Sequence, residues 1–247
     1  MKLPLKQNFM FKKFSILLIA LTLTLTACDE LQKAATTILT QQVISNEDIA
    51  NGLKSALEIG IVKGSDVLSQ KGGFFNSSYK ILLPPEARKI TDRLQAIPGF
   101  NKVEDIILEK INAGAEDAAA KAKPIFVNAI KQMTFTDALN ILMGDKNAAT
   151  LYLKKTTYDQ LYVAFNPVII TSLDKFDARK YWSDAVNTYN KIPFITKVNP
   201  SLDDYVTTQA LTGLFSMVEQ KELAIRTIKG ERVTHLLRKV FAKQDVQ

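Results

Sequence analysis

The chain has 247 residues, 47% of them hydrophobic, with 32 Lys and Arg against 25 Asp and Glu, a formal charge of +7. That composition excludes a disordered or collagenous chain, and the length suffices for one large domain with a sizeable core. The basic excess raises nucleic acid or another acidic partner as a target, so the position of the charge decides the matter.

Residues 1–27 hold Lys2, Lys6, Lys12 and Lys13 and no acid, and these lysines precede an apolar run over residues 14–25. Positive charge followed by an apolar stretch is the order of a secretory signal peptide. As a helix the run spans about 18 Å, short of a hydrocarbon core of about 30 Å. Leu25-Thr26-Ala27-Cys28 then resembles a bacterial lipobox. The resemblance implies cleavage between Ala27 and Cys28, with a diacylglycerol on the Cys28 thiol and a further acyl chain such as palmitate. Cys28 is the chain's one cysteine, and an exported chain with an odd thiol needs a use for it. At about 0.8 kcal/mol per buried methylene, two or three chains make a stable membrane anchor. Asp29 is similar to the inner-membrane retention signal of enterobacterial lipoproteins, a rule that does not hold in every phylum, so inner and outer membranes both stay open. The expected location is the bacterial envelope, facing the periplasm.

Removal of residues 1–27 lowers the charge to +3, which takes nucleic acid off the expected partners. Much of the remaining basic excess lies over residues 221–243, where Lys221, Arg226, Lys229, Arg232, Arg238, Lys239 and Lys243 accompany Glu222 and Glu231. This end is expected to be a solvated helix face, with contact to anionic lipid as the other reading.

Residues 28–45 form the lipidated N-terminus and a tether, and residues 46–247 an all-α, multi-helix, bundle-like domain. A helix starts at Ser45, where Glu47 and Asp48 complement its dipole. Ile49, Leu53, Ala56, Leu57, Ile61, Val67 and Leu68 recur at helical spacing. Gly60 and Gly64 lie on nearly the same face and point to close helix packing. The pattern breaks near Gly72-Gly73, continues as an irregular connection to Pro84-Pro85, and resumes over residues 86–96. Asn101 is positioned to cap a helix with Val103, Ile106, Ile107, Ile111, Gly114, Ala115 and Ala118 on a small-residue face. Pro124 opens or kinks residues 125–133, and Thr134 to Asp137 has capping-box spacing before a helix that Gly144 closes. Helices follow over 148–155 and 158–176, with a kink expected at Pro167. Tyr158, Tyr162 and Phe165 have core spacing. Further helices cover 179–191, a stretch from the Ser201 cap to about Glu222, and 232–241.

A series of motifs occurs along this domain in a distinctive order: Gly72-Gly73-Phe74, Ile81-Leu82-Leu83-Pro84, Asn112-Ala113-Gly114-Ala115-Glu116, Ala122-Lys123-Pro124-Ile125-Phe126, Ile141-Leu142-Met143-Gly144, Phe165-Asn166-Pro167 and Ala210-Leu211-Thr212-Gly213-Leu214-Phe215. In this order the chain resembles the bacterial family called domain of unknown function 4197 over residues 46–242. The resemblance implies a helical, envelope-associated protein and brings no activity, cofactor or catalytic residue. Where the family often has Lys-Ala-Leu-Asp-Gly-Leu-Phe, this chain has Gln209 and Thr212 in place of the two charges.

Common chemistries are tested by their motifs. No glycine precedes a lysine and no two glycines flank a single residue, so P-loop and dinucleotide fingerprints are missing. The one histidine, His235, forbids a two-histidine zinc motif, and Gly-x-Ser-x-Gly does not occur. Glu231 stands four residues before His235, which allows a metal or acid-base pair or, as favoured, a surface ion pair. Glu104-Asp105, Glu116-Asp117 and Asp203-Asp204 are adjacent carboxylates, but neighbours point about 100° apart on a helix. The Glu-Ser dipeptide of cell-wall lytic enzymes does not occur. Asn112, Glu116, Lys123, Asp137, Thr150, Tyr152 and Thr157 interrupt apolar helical stretches. Either they line a polar pocket or, as favoured, each caps a helix or satisfies a buried backbone group. No cofactor beyond the Cys28 lipid, no metal and no catalytic residue is expected. The leading function is a binding or scaffolding module for an envelope component; the alternatives are an envelope hydrolase using carboxylates or His235, and a helical carrier of an apolar ligand.

Overall fold

The computed structural model describes residues 45–85, 103–191, 193–194 and 197–242. The expected helix over 86–96, the Asn101 cap, and the leader, lipobox and tether over residues 1–44 lie outside the described residues. The domain is all-α, with no strand among the described residues. Its helices are α1 (Asn46–Leu68), α2 (Val103–Ala119), α3 (Ala122–Gln132), α4 (Phe135–Met143), α5 (Ala148–Asp174), α6 (Ala178–Tyr189), α7 (Leu202–Thr227) and α8 (His235–Phe241), with a 3-10 turn at Lys229–Glu231. No described helix is long and apolar enough to cross a membrane.

The helix α5 lies at the centre because its sequence has no fully polar side. Ala149, Leu153, Leu161, Phe165, Ile169 and Leu173 are buried at spacings of four or eight residues, and α5 packs most extensively against α2 and α7. The α7 helix is nearly as enclosed, burying Val206, Ala210, Leu211, Leu214, Phe215 and Val218. The first helix, α1, covers the other side through α3, α4, α7 and α8. Each fully buried Phe, such as Phe74, Phe126 and Phe165, contributes about 1.5–3 kcal/mol of apolar transfer.

Local chemistry sets the helix ends. The capping box at α4 is present: Asp137 N–H donates to Thr134 Oγ1 at 3.1 Å and Thr134 N–H to Asp137 Oδ2 at 2.9 Å. Thr134's bonds hold the exposed Asp137 carboxyl below its ordinary range. At α8, Leu237 N–H donates to Thr234 Oγ1. The α1 helix ends at Leu68, and the chain turns through Gly72, whose φ of +82° is left-handed and suits glycine. The next residue has no room for a side chain, since a Cβ on Gly73 would lie 2.4 Å from the Val67 carbonyl oxygen.

Three helices differ in extent from the sequence expectation, and two apolar residues differ in burial. Residues 148–174 form one helix, because the Thr156 and Thr157 hydroxyls donate back to carbonyls in the preceding turn and so fit the helix. As expected, Pro167 lies within that helix; the carbonyl left without its usual donor belongs to Val163, a residue 73% exposed to water. The α7 helix runs past Glu222 to Thr227, and Arg232 precedes α8 instead of lying in it. Glu231 and His235 are therefore not one turn apart on one helix, since Glu231 closes the 3-10 turn and His235 is the first residue of α8. Val67 and Ile106, expected on buried faces, are exposed, while Leu68 and Leu108 take the buried positions.

Candidate functional site

Asn112 and Glu116 lie one turn apart on α2, both buried, and both hold the chain between α1 and α2. Glu116 Oε2 accepts from Gly72 N–H at 3.0 Å, and Oε1 from the N–H groups of Phe74 and Phe75 at 3.1 and 3.2 Å. Asn112 Oδ1 accepts from Ile81 N–H, while its Nδ2 donates to the carbonyls of Ile81 and Leu108. The Asn112 amide thus pairs with Ile81 as a neighbouring strand would. The two side chains converge on backbone rather than on open space.

Thr150 belongs to a second clamp. Its N–H and hydroxyl, at 2.9 and 2.8 Å, donate to Glu222 Oε2, and Ala149 N–H donates to Glu222 Oε1. Asn147, at the N-cap of α5, makes no side-chain cap bond, so a carboxylate from α7 satisfies the free donors and meets the positive end of the helix dipole. Arg226 pairs with Glu222 Oε1 at 2.8 Å, the two side chains only 6% and 4% exposed, and donates to the Ile141 and Leu142 carbonyls that end α4. Arg232, 2% exposed, donates to the carbonyls of Ile225 and Arg226 in the last turn of α7. Both guanidinium groups lie within 6 Å of the Phe241 ring centre. Two of the basic residues read from the sequence as a solvated face are therefore buried ties. In the sequence Glu222, Arg226 and Arg232 counted only toward the charge of this end; the signal for their role was a Glu-Arg pair four apart.

The other sequence candidates are dispersed. Lys123 stands 3.9 Å from Asp66 in an exposed pair, and Thr157 donates to the Leu153 carbonyl. Tyr152 is half-buried; burial and then the Asp137 charge raise its hydroxyl above the ordinary range. Of the adjacent carboxylates, Asp204 accepts from Tyr162 at 2.6 Å and from Asn199 at 2.9 Å, whereas Asp203 takes Asn166 and Arg179. The Asp204 bond, with burial and nearby acids, pushes the Tyr162 hydroxyl up to about 12. Arg179 also pairs doubly with Asp174, whose carboxyl is thereby held below the usual range. His235 is exposed at the start of α8. No group of three His, Cys, Asp or Glu arranged for a metal occurs among the described residues.

What the α5/α7 pairing leaves open is a groove of about 630 Å³, lined by Leu151, Lys154, Lys155 and Tyr158 of α5 and Thr208, Thr212 and Phe215 of α7. Its volume is in the range of binding clefts, roughly 300–1,000 Å³. Tyr158 stacks on Phe215 at 6.3 Å between ring centres, and Phe215 meets Phe126 of α3 edge-on at 5.8 Å. That aromatic run roots the floor in the core. Leu151 is 55% exposed beside it, and Lys154 and Lys155 stand exposed with no carboxylate within 4.0 Å among the described residues. Asp137, across on α4, is near enough to feel the Lys155 charge. The groove can hold an apolar group on its floor and an anionic one at its rim.

Its buried charged groups hold helix ends and connections, and an open apolar groove with a basic rim lies between its two central helices; these features define the class of helical domain. The chain belongs to the family described as Protein of unknown function (DUF4197), whose sequence profile matches residues 43–242. No curated protein and no solved structure matches the chain closely enough to add a relative.

Proposed function

We propose that this chain is a lipid-anchored protein of the bacterial envelope whose helical domain acts as a binding or scaffolding module through the α5/α7 groove. The observation that carries the binding reading is the groove itself, where exposed Leu151 and two lysines flank an aromatic floor fixed by the core. The anchor is supported by the order of basic residues, apolar run and Leu25-Thr26-Ala27-Cys28. A hydrolase using a buried carboxylate needs one with capacity to spare, whereas the two buried among the described residues, Glu116 and Glu222, are taken up by backbone donors and Arg226. A carrier needs an enclosed apolar space, and among the described residues a cavity beside Leu53, Ala149 and Phe241 measures about 10 Å³, no more than a single water requires.

Palmitate labelling, membrane fractionation and native gels of three forms of the full chain test both halves. The parent chain is expected to be labelled, membrane-bound and part of a larger complex. Cys28→Ala should lose the label and leave the membrane, and Thr212→Trp should stay there but lose the complex. A labelled, membrane-bound Cys28→Ala protein would sink the anchor; a complex indifferent to Thr212→Trp would sink the groove.

A further inference from the structure

The geometry points to an acidic amphipathic helix as the occupant of the α5/α7 groove, an inference that rests on the binding-module reading and names its partner. The walls are two helices running in opposite directions, as the contacts of Thr150 with Glu222 and of Asn166 with Thr207 require. On α5 the lining residues fall at positions i, i+3, i+4 and i+7, and on α7 at i, i+4 and i+7. Seven residues of helix span about 10 Å, two turns, and paired ridges of this period accept the ridge of a third helix. The groove is open to solvent, which suits side chains entering from one helical face more than an alkyl chain needing a tunnel.

Charge selects among helices. Lys154 and Lys155 supply the rim, and no acidic residue lines the groove. A smaller groove between α2 and α5, about 330 Å³, carries Asp117 and Lys175 together and has no such bias. On the α7 wall Thr212 already donates its hydroxyl to the Thr208 carbonyl at 2.8 Å, so it has no spare donor for a polar ligand. The matching partner carries Leu-like side chains at i, i+3 or i+4 and i+7 to cover Leu151, Tyr158 and Phe215, with carboxylates flanking them to meet the two lysines. With only about two turns engaged, the contact is of the small, transient kind.

The test uses the full chain in phosphatidylcholine nanodiscs and a fluorescein-labelled peptide of about five turns, with Leu on one face and Glu on the rest, read by anisotropy. Saturable binding is expected that weakens with salt, falls at least about tenfold in Lys154→Glu/Lys155→Glu and vanishes in Thr212→Trp. A peptide with Lys in place of Glu should recover binding to the charge-reversed protein, which shows that the variant is folded. Failure of the acidic helix to bind, equal binding of its scrambled sequence, or indifference to charge reversal overturns the inference. Lysine-dependent uptake of dodecanoate with no peptide binding also overturns it, because the occupant is then a fatty anion. If the acidic helix is refused while Thr212→Trp still dissolves the membrane complex, the binding-module reading survives and this occupant does not.

Discussion

A carboxylate inside a helical core is costly unless its oxygens are supplied with donors, and Glu116 receives three, from Gly72, Phe74 and Phe75. The chain just after α1 turns too sharply to form a helix that would satisfy those N–H groups internally, so the side chain of another helix must do it. Removing the acceptor strands buried donors, and bonds to charged groups are worth about 1.5–3 kcal/mol each. Glu116→Gln keeps one oxygen for Phe74 and Phe75 and turns an amide toward Gly72, whereas Glu116→Ala abandons all three. The expected order of stability is parent, then Gln lower by about 1–3 kcal/mol, then Ala lower by about 3–4 kcal/mol. Urea unfolding monitored by circular dichroism checks it through the midpoint at constant slope. If Ala is no worse than Gln, the acceptor is not what holds the turn.

At the scale of elements, one ion pair on α7 joins the ends of two other helices. Glu222 serves the start of α5, Arg226 the finish of α4, and both ride on α7. The loop between α4 and α5 is only four residues, 144–147, so the two ends are close together and of opposite dipole sign; an acid and a base one turn apart match them. Breaking a buried pair leaves an uncompensated charge, at about 3–5 kcal/mol. Glu222→Gln and Arg226→Met are each expected to destabilise by an amount approaching that range, and the double variant by less than their sum, with a coupling of about 1–3 kcal/mol. A thermal-unfolding double-mutant cycle measures this, and additive losses would mean that the two residues act on α5 and α4 independently.

Across the whole molecule, much of the helical layout was legible because a period near 3.6 is written directly in the apolar residues, and the Thr134-Asp137 box because it is local. Asn112 and Glu116 stood out as polar residues in apolar stretches. Glu222, Arg226 and Arg232 did not, since a charge looks the same in sequence whether solvated or buried. What separates the two cases is a backbone group, such as Ala149 N–H or the Leu142 carbonyl, more than 70 residues away. The groove was hidden for a related reason: Tyr158 becomes a floor, with Leu151 beside it, only once Phe215 is placed opposite. Glycines carry the same lesson, because the letter does not say whether the space beside it is filled. A Cβ on Gly60 of α1 would meet Ile225 at 3.4 Å and Lys221 at 4.0 Å, ordinary contacts. One on Gly213 of α7 would meet Phe74 Cε1 at 2.9 Å and Tyr79 Cβ at 3.3 Å. The Phe74 ring is buried and its N–H is tied to Glu116, so it has little freedom to yield. Both changes to alanine gain about 1 kcal/mol of helix propensity, but at Gly213 overpacking costs about 1–3 kcal/mol. Gly60→Ala is therefore expected to raise the melting temperature by about 2–4 °C, and Gly213→Ala to leave it unchanged or lower it by a similar amount. Differential scanning calorimetry of the two variants decides: a rise for Gly213→Ala equal to that for Gly60→Ala would mean that the segment around Phe74 is not pressed against α7 as closely as the structure has it.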